Sequence, residues 1–182
     1  IFSGTALLGY TASDAEATNS QVAILYKQPV RTRNDLAGFR ELLVERLVTS
    51  MLNARLFELT QQEDPPFAAA GAGKGRFVRT SGFFQLAALV PDGGARRGME
   101  ALLKEAERVS RHGFVATELE REKANLLRGL EQAWTDRENQ PSSLFAGAYV
   151  NHFLEGEPAP GIELEFRAAQ ALLPTITPQE VN

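Results

Sequence analysis

Residues 75–90 read Gly75-Arg76-Phe77-Val78-Arg79-Thr80-Ser81-Gly82-Phe83-Phe84-Gln85-Leu86-Ala87-Ala88-Leu89-Val90. Two strand-like runs flank Ser81-Gly82, a dipeptide suited to a tight turn, so the stretch predicts a β-hairpin. Its second strand is Phe83–Val90, and Asp92-Gly93-Gly94 closes it. From Ala95 onward the chain reads as helix only. Over Ala95–His112, Met99, Leu102, Leu103, Ala106, Val109 and Ser110 recur at helical spacing, and Gly113 suits the left-handed residue after the last turn. Thr117-Glu118-Leu119-Glu120 has capping-box spacing for a helix reaching about Asn139. Leu119, Leu126, Leu130 and Ala133 line one side of it, with Leu127 and Trp134 beside them. Ser142 or Ser143 opens a helix with Phe145, Tyr149 and Phe153 at i, i+4, i+8, and Gly156 ends it. Ile162–Leu173 is a last short helix before Pro174.

Upstream of the hairpin, Thr5–Tyr10 and Gln21–Lys27 read as strands, with the small, polar Thr11–Asn19 as a turn or linker between them. The second has Val22, Ile24 and Tyr26 on one side and Ala23 and Leu25 on the other, the two-sided pattern of a central strand; Pro29 ends it. Asn34 or Asp35 caps a long helix running to about Gln62. Leu36, Phe39, Leu43, Leu47 and Met51, widened by Leu42, Val44, Val48, Leu52 and Leu56, cover more than half its circumference, so it is buried on more than one side. The order β-β-α-β-β-α-α-α-α groups strands apart from helices. That is an α+β pattern: an antiparallel or mixed sheet with helices on one face.

Composition narrows function by exclusion. The 182 residues are 43% hydrophobic and 23% charged, with net charge −4 and pI near 5.3. A chain this long buries roughly 70% of its unfolded surface, enough for a core. Mild acidity argues against nucleic acid, whose phosphates need clustered Lys and Arg. No apolar run reaches the length of a membrane span. Zero cysteines exclude disulfides, thiolate zinc sites and a cysteine nucleophile. The end, Thr177-Pro178-Gln179-Glu180-Val181-Asn182, announces a helix with capping-box spacing and proline at its first position. It reads as a helix cut short in a piece of a longer protein.

The candidates for chemistry are weak ones. Gly71-Ala72-Gly73-Lys74-Gly75 is glycine-rich, but a phosphate loop needs G-x-x-x-x-G-K-[ST]. Ala68 stands at the first glycine, Gly75 at the hydroxyl residue, and the next element is a strand rather than a helix. His112 suits the end of a helix, where the dipole favours it. His152 and Glu155 have i, i+3 spacing, but zinc needs three protein ligands and no third has recognisable spacing. Glu118, Glu120 and Glu122 point in different directions and interleave with Arg121, Lys123 and Arg128, a mixed surface rather than an acid/base pair. Trp134 and the Phe145/Tyr149/Phe153 stripe suit a core or an interface. Neither H-E-x-x-H, H-x-x-E-H nor G-x-S-x-G occurs. These readings name no catalytic, cofactor-binding or metal-binding residue.

The order of segments resembles the pitrilysin/insulinase family of zinc metallopeptidases, in its bacterial branch. The likeness is carried by Leu47-Val48-Thr49-Ser50-Met51-Leu52-Asn53-Ala54-Arg55-Leu56, by the hairpin through Phe83-Phe84-Gln85-Leu86 to Asp92-Gly93-Gly94, and by Arg111–Lys123. His152-Phe153-Leu154-Glu155-Gly156-Glu157-Pro158 and Leu172-Leu173-Pro174-Thr175-Ile176-Thr177 complete it, so it covers about residues 20–182. More narrowly, the chain looks like the non-catalytic domain that comes after the catalytic one. The family's chemistry needs the inverted motif H-x-x-E-H and a distant glutamate around zinc, none of which is here. The resemblance implies an inactive peptidase-like domain over 21–182, with 1–20 as a linker or edge strand from the preceding region. It implies a parent with zinc in its catalytic domain. The implied partners are that domain, the parent's second half and peptide substrate in a closed chamber. The family's substrate-contacting Arg/Tyr pair belongs to another domain, so neither Arg79 nor Tyr149 is assigned to it. The residues themselves fix no compartment; the resemblance is compatible with a periplasmic parent. The residues also allow two other classes: a free-standing binding or dimerisation module using the aromatic stripe, and a nucleotide enzyme built on the glycine-rich stretch. Apolar surface bared by separation from neighbours predicts some self-association.

Overall fold

In the computed structural model, the described residues are 8–31, 33–78, 80–156 (Glu155 by its backbone) and 158–182. They form β1 (Ser20–Pro29), α1 (Leu36–Thr60), β2 (Ala69–Val78), β3 (Ser81–Val90), α2 (Ala95–His112), α3 (Ala116–Thr135), α4 (Ser142–Glu155), α5 (Ile162–Leu172) and α6 (Pro178–Val181). Single 3-10 turns cover Arg137–Asn139 and Leu173–Thr175. The described residues divide into two compact units, one within 8–30 and 52–111 and the other within 31–51 and 112–182. Helix α1 contributes its first part to one unit and its last part to the other.

The first unit is built on a three-stranded antiparallel sheet in the order β1-β3-β2. The expected hairpin is there: β2 and β3 pair from Ala69↔Leu89 to Val78↔Ser81, with a register shift between Arg76 and Val78. β3 takes the centre because it also pairs with β1 along its whole length, from Ser20↔Val90 to Pro29↔Ser81. The expectation of a central β1 is therefore corrected. β1 is an edge strand; Val22, Ile24 and Tyr26 turn inward, while Gln21, Ala23, Leu25 and Lys27 are exposed. Its two-sided apolar pattern arises from Ala23 and Leu25 on the open face. The expected strand Thr5–Tyr10 lies outside the described residues over 5–7, and Leu8, Gly9 and Tyr10 carry no strand.

Phe84, Leu86, Ala88 and Val90 are buried on one face of β3, the period of two that a half-buried antiparallel strand requires. Helix α2 lies on this face. Gly98 sets the distance, since a Cβ there would run into Val90 Cγ1. The buried side of α2 is Gly98, Leu102, Glu105 and Ala106; Leu103 and Ser110 of the expected stripe are exposed. On the opposite sheet face the Phe83 ring covers Gly75, where a Cβ would collide with it, and sits 4.4 Å from the Phe77 ring.

The second unit is helical. Asp35, of the two expected caps, accepts the Gly38 N–H at 2.7 Å and starts α1. Leu43, Leu47, Met51, Leu119, Leu130, Ala169, Leu173, Ile176 and Val181 supply its buried apolar side chains, with Phe114. At α3 the capping residue is Val115 rather than Thr117. Its N–H donates to Glu118 Oε2 at 2.8 Å, and valine has no oxygen to return the bond. Trp134 stacks on Phe166 of α5, centroids 5.6 Å apart. α6 has the expected box: the Thr177 N–H donates to Glu180 Oε2 at 2.7 Å, and Pro178 is the first helical residue. Arg40 of α1 clamps this end, 2.8 Å from Glu180 Oε1 and 3.0 Å from the Thr175 carbonyl. No helix among the described residues is long and apolar enough to cross a membrane.

Candidate functional site

The glycine-rich stretch forms the interior of β2, not a loop. Its N–H groups therefore do not converge on one point as an anion cradle requires. Asn53 of α1 sits against it. The Asn53 amide donates Nδ2–H to the Ala72 carbonyl at 3.0 Å and accepts the Ala72 N–H on Oδ1 at 2.6 Å. One side chain thus satisfies both backbone groups of an edge-strand residue, as a neighbouring strand would, and blunts that edge. A shallow depression lined by Gln21, Ala69, Ala70, Gly71, Ala87, Ala88 and Leu89 lies on the sheet beside it. None of those residues titrates or acts as a nucleophile.

The two histidines lie on different helices. His112 is the exposed last residue of α2, and Gly113 after it is in the left-handed region at φ +64. His152 is exposed in the last turn of α4, where its carbonyl accepts the Gly156 N–H at 3.0 Å. Of its expected companion Glu155 only the backbone is described. The three glutamates of α3 go to three separate tasks. Glu118 caps the helix, Glu120 meets Lys123 Nζ at 2.7 Å, and Glu122 meets Arg121 Nε at 3.1 Å. Among the described residues no three His, Asp or Glu side chains form a group that could hold a metal ion. The described side chains therefore bring together no set of the three protein ligands that a structural or catalytic zinc site takes.

One polar cluster was not singled out in the sequence. Arg55 of α1 and Glu105 of α2, each only about 5% exposed, approach to 3.4 Å. Arg108 reaches the other Glu105 oxygen at 3.3 Å. The signal was available: Arg55 lies four residues after Met51 and Glu105 three after Leu102, so both charges fall on apolar stripes. With its second carboxylate oxygen on Arg108, Glu105 is a structural counter-ion. The aromatic stripe of α4 is exposed at Phe145, Tyr149 and Phe153.

No protein-family model matches the chain. A zinc protease PQQL-like protein of Arabidopsis thaliana is 29% identical over 169 residues, which is 93% of this chain and 15% of that protein. The first half of the periplasmic protease PqqL from Escherichia coli superposes with a TM-score of 0.85 at 21% identity, over 92% of this chain and 36% of that one. The inactive peptidase domain of a Bordetella parapertussis protein assigned as a zinc protease has a TM-score of 0.58 at 13% identity, over 91% of this chain and 84% of that one. The chain thus spans a small part of the length of the curated relative it matches. These likenesses agree with the α+β element order on the fold: the chain has the fold of these peptidase domains and resembles the zinc protease PQQL-like protein in sequence.

Proposed function

We propose that this chain is a non-catalytic domain of a zinc metallopeptidase, with residues 21–182 as the domain and 1–20 as the link from a preceding catalytic domain. It braces that domain and forms part of the wall of the chamber that holds peptide substrate. The zinc belongs to the catalytic domain of the parent, whose periplasmic location the similarity to PqqL supports. One observation carries the reading. The chain's two histidines lie on different helices, α2 and α4, and neither stands in H-x-x-E-H. A peptidase of this type needs two histidines of one motif on one metal, with the glutamate between them activating water.

The test is direct. Incubated with zinc and unstructured peptides, the purified chain is expected to leave them uncut, and isothermal titration is expected to register no zinc binding tighter than millimolar. Peptide cleavage abolished by a chelator would overturn the reading. So would a complete reading frame with no H-x-x-E-H upstream of Ile1.

A further inference from the structure

Helix α4 is exposed along its length. Every residue from Ser142 to Leu154 faces solvent, including Leu144, Phe145, Tyr149, Val150, Phe153 and Leu154. At 3.6 residues per turn, the arc from Phe145 through Tyr149, Phe153 and Val150 to Leu154 takes up about half the circumference. Asn151 and His152 fall outside it. A helix laid on a protein surface needs an apolar stripe of about 100°; this arc is wide enough to be covered from two sides. A helix of 14 residues also draws most of its stability in water from packing of an apolar face. Yet α4 is terminated like a settled helix, by Gly156 in the left-handed region at φ +68.

We propose that α4 is the docking surface for a neighbouring domain of the same polypeptide, which lays an uncharged apolar groove over Phe145, Tyr149 and Phe153. The inference rests on the functional reading above, in which this domain has covalent neighbours. Two observations select that occupant. The relatives carry the matched stretch inside much longer chains, so a neighbour is held at high effective concentration. The arc is aromatic and aliphatic but for Ser142 and Ser143 and carries no charge, the make-up of a permanent interface rather than of a transient one.

Hydrogen exchange of residues 142–155 tests this, in the 182-residue chain and in the full-length parent. In the 182-residue chain, diluted until light scattering reads a monomer, α4 is expected to exchange at nearly the rate of unstructured chain. In the parent it is expected to exchange at least about a hundredfold more slowly. Phe153→Asp should cut that protection about tenfold in the parent and shift the melting temperature of the 182-residue chain by no more than about 1 °C. Equal exchange in the two proteins overturns the proposal. Protection that rises with the concentration of the 182-residue chain also overturns it, and makes the occupant a second copy. Zinc-dependent cleavage is read separately. A parent without it sinks the functional reading, while the exchange comparison still decides the docking surface.

Discussion

At the scale of single residues, the informative groups are those that break their local pattern. Arg55 and Glu105 put opposite charges where apolar side chains would be expected, and each is nearly inaccessible to water. A buried pair of this kind adds little net stability over an apolar replacement, but removing one partner strands the other charge. Glu105→Gln is therefore expected to cost about 3 kcal/mol in urea unfolding, because a neutral amide replaces the carboxylate that faces both Arg55 and Arg108. The double change Arg55→Met with Glu105→Leu should cost clearly less than that single one. A single-variant loss under about 1 kcal/mol would show that water already reaches the pair. The same logic decides what could be seen in the sequence. Charges on a helical stripe are visible at i+3 and i+4, yet that Arg55 and Glu105 meet across two helices fifty residues apart needs the tertiary structure. The isolated glycines were legible as backbone devices at Gly113 and Gly156, where φ is positive. Gly75 and Gly98 depend on which side chain arrives from another element, and so were not.

At the scale of elements, the hairpin and the helices with capping signals were legible because turn and cap chemistry is local. The place of β1 was not, since its pattern fits a central strand and only pairing with β3 makes it an edge. The closing helix α6 shows how a local signal becomes a measurable property. The Thr177 N–H, and after it the Arg40 guanidinium, hold the Glu180 carboxyl below the usual carboxylate range. A depressed folded pKa means that the stabilisation is present above the unfolded value of about 4.3 and is lost as pH falls through the folded one. Protection of the Thr177 amide is thus expected to be steady from neutral pH to about 5 and to fall in more acid solution. In Glu180→Gln it should show no such step, because the glutamine amide does not titrate. An identical acid step in that variant would assign the effect to another group.

At the scale of the whole molecule, the division into two compact units coincides with no sequence break, because it falls inside α1 between Met51 and Leu52. Linkers announce themselves by Gly, Pro and polar clusters, and from Phe39 to Thr60 α1 has neither glycine nor proline. The continuous stripe that predicted a helix buried on more than one side is the reason: Leu43, Leu47 and Met51 serve one unit, Leu52 and Leu56 the other. One backbone hydrogen-bond ladder therefore runs through both. Ser50 is exposed at the end of the first stretch, so a change there leaves both sets of apolar contacts untouched and acts on the ladder alone. Proline at this position removes one N–H and presses its ring on the carbonyl four residues back, at a cost of about 3 kcal/mol. If the helix ties the units together, Ser50→Pro must lower amide protection at Leu43 and Leu47 as well as at Leu52 and Leu56, while Ser50→Ala lowers neither. Protection lost on one side of Ser50 only would mean that the two halves of α1 are held independently, each by its own unit. The shared helix would then be a covalent connection without mechanical consequence.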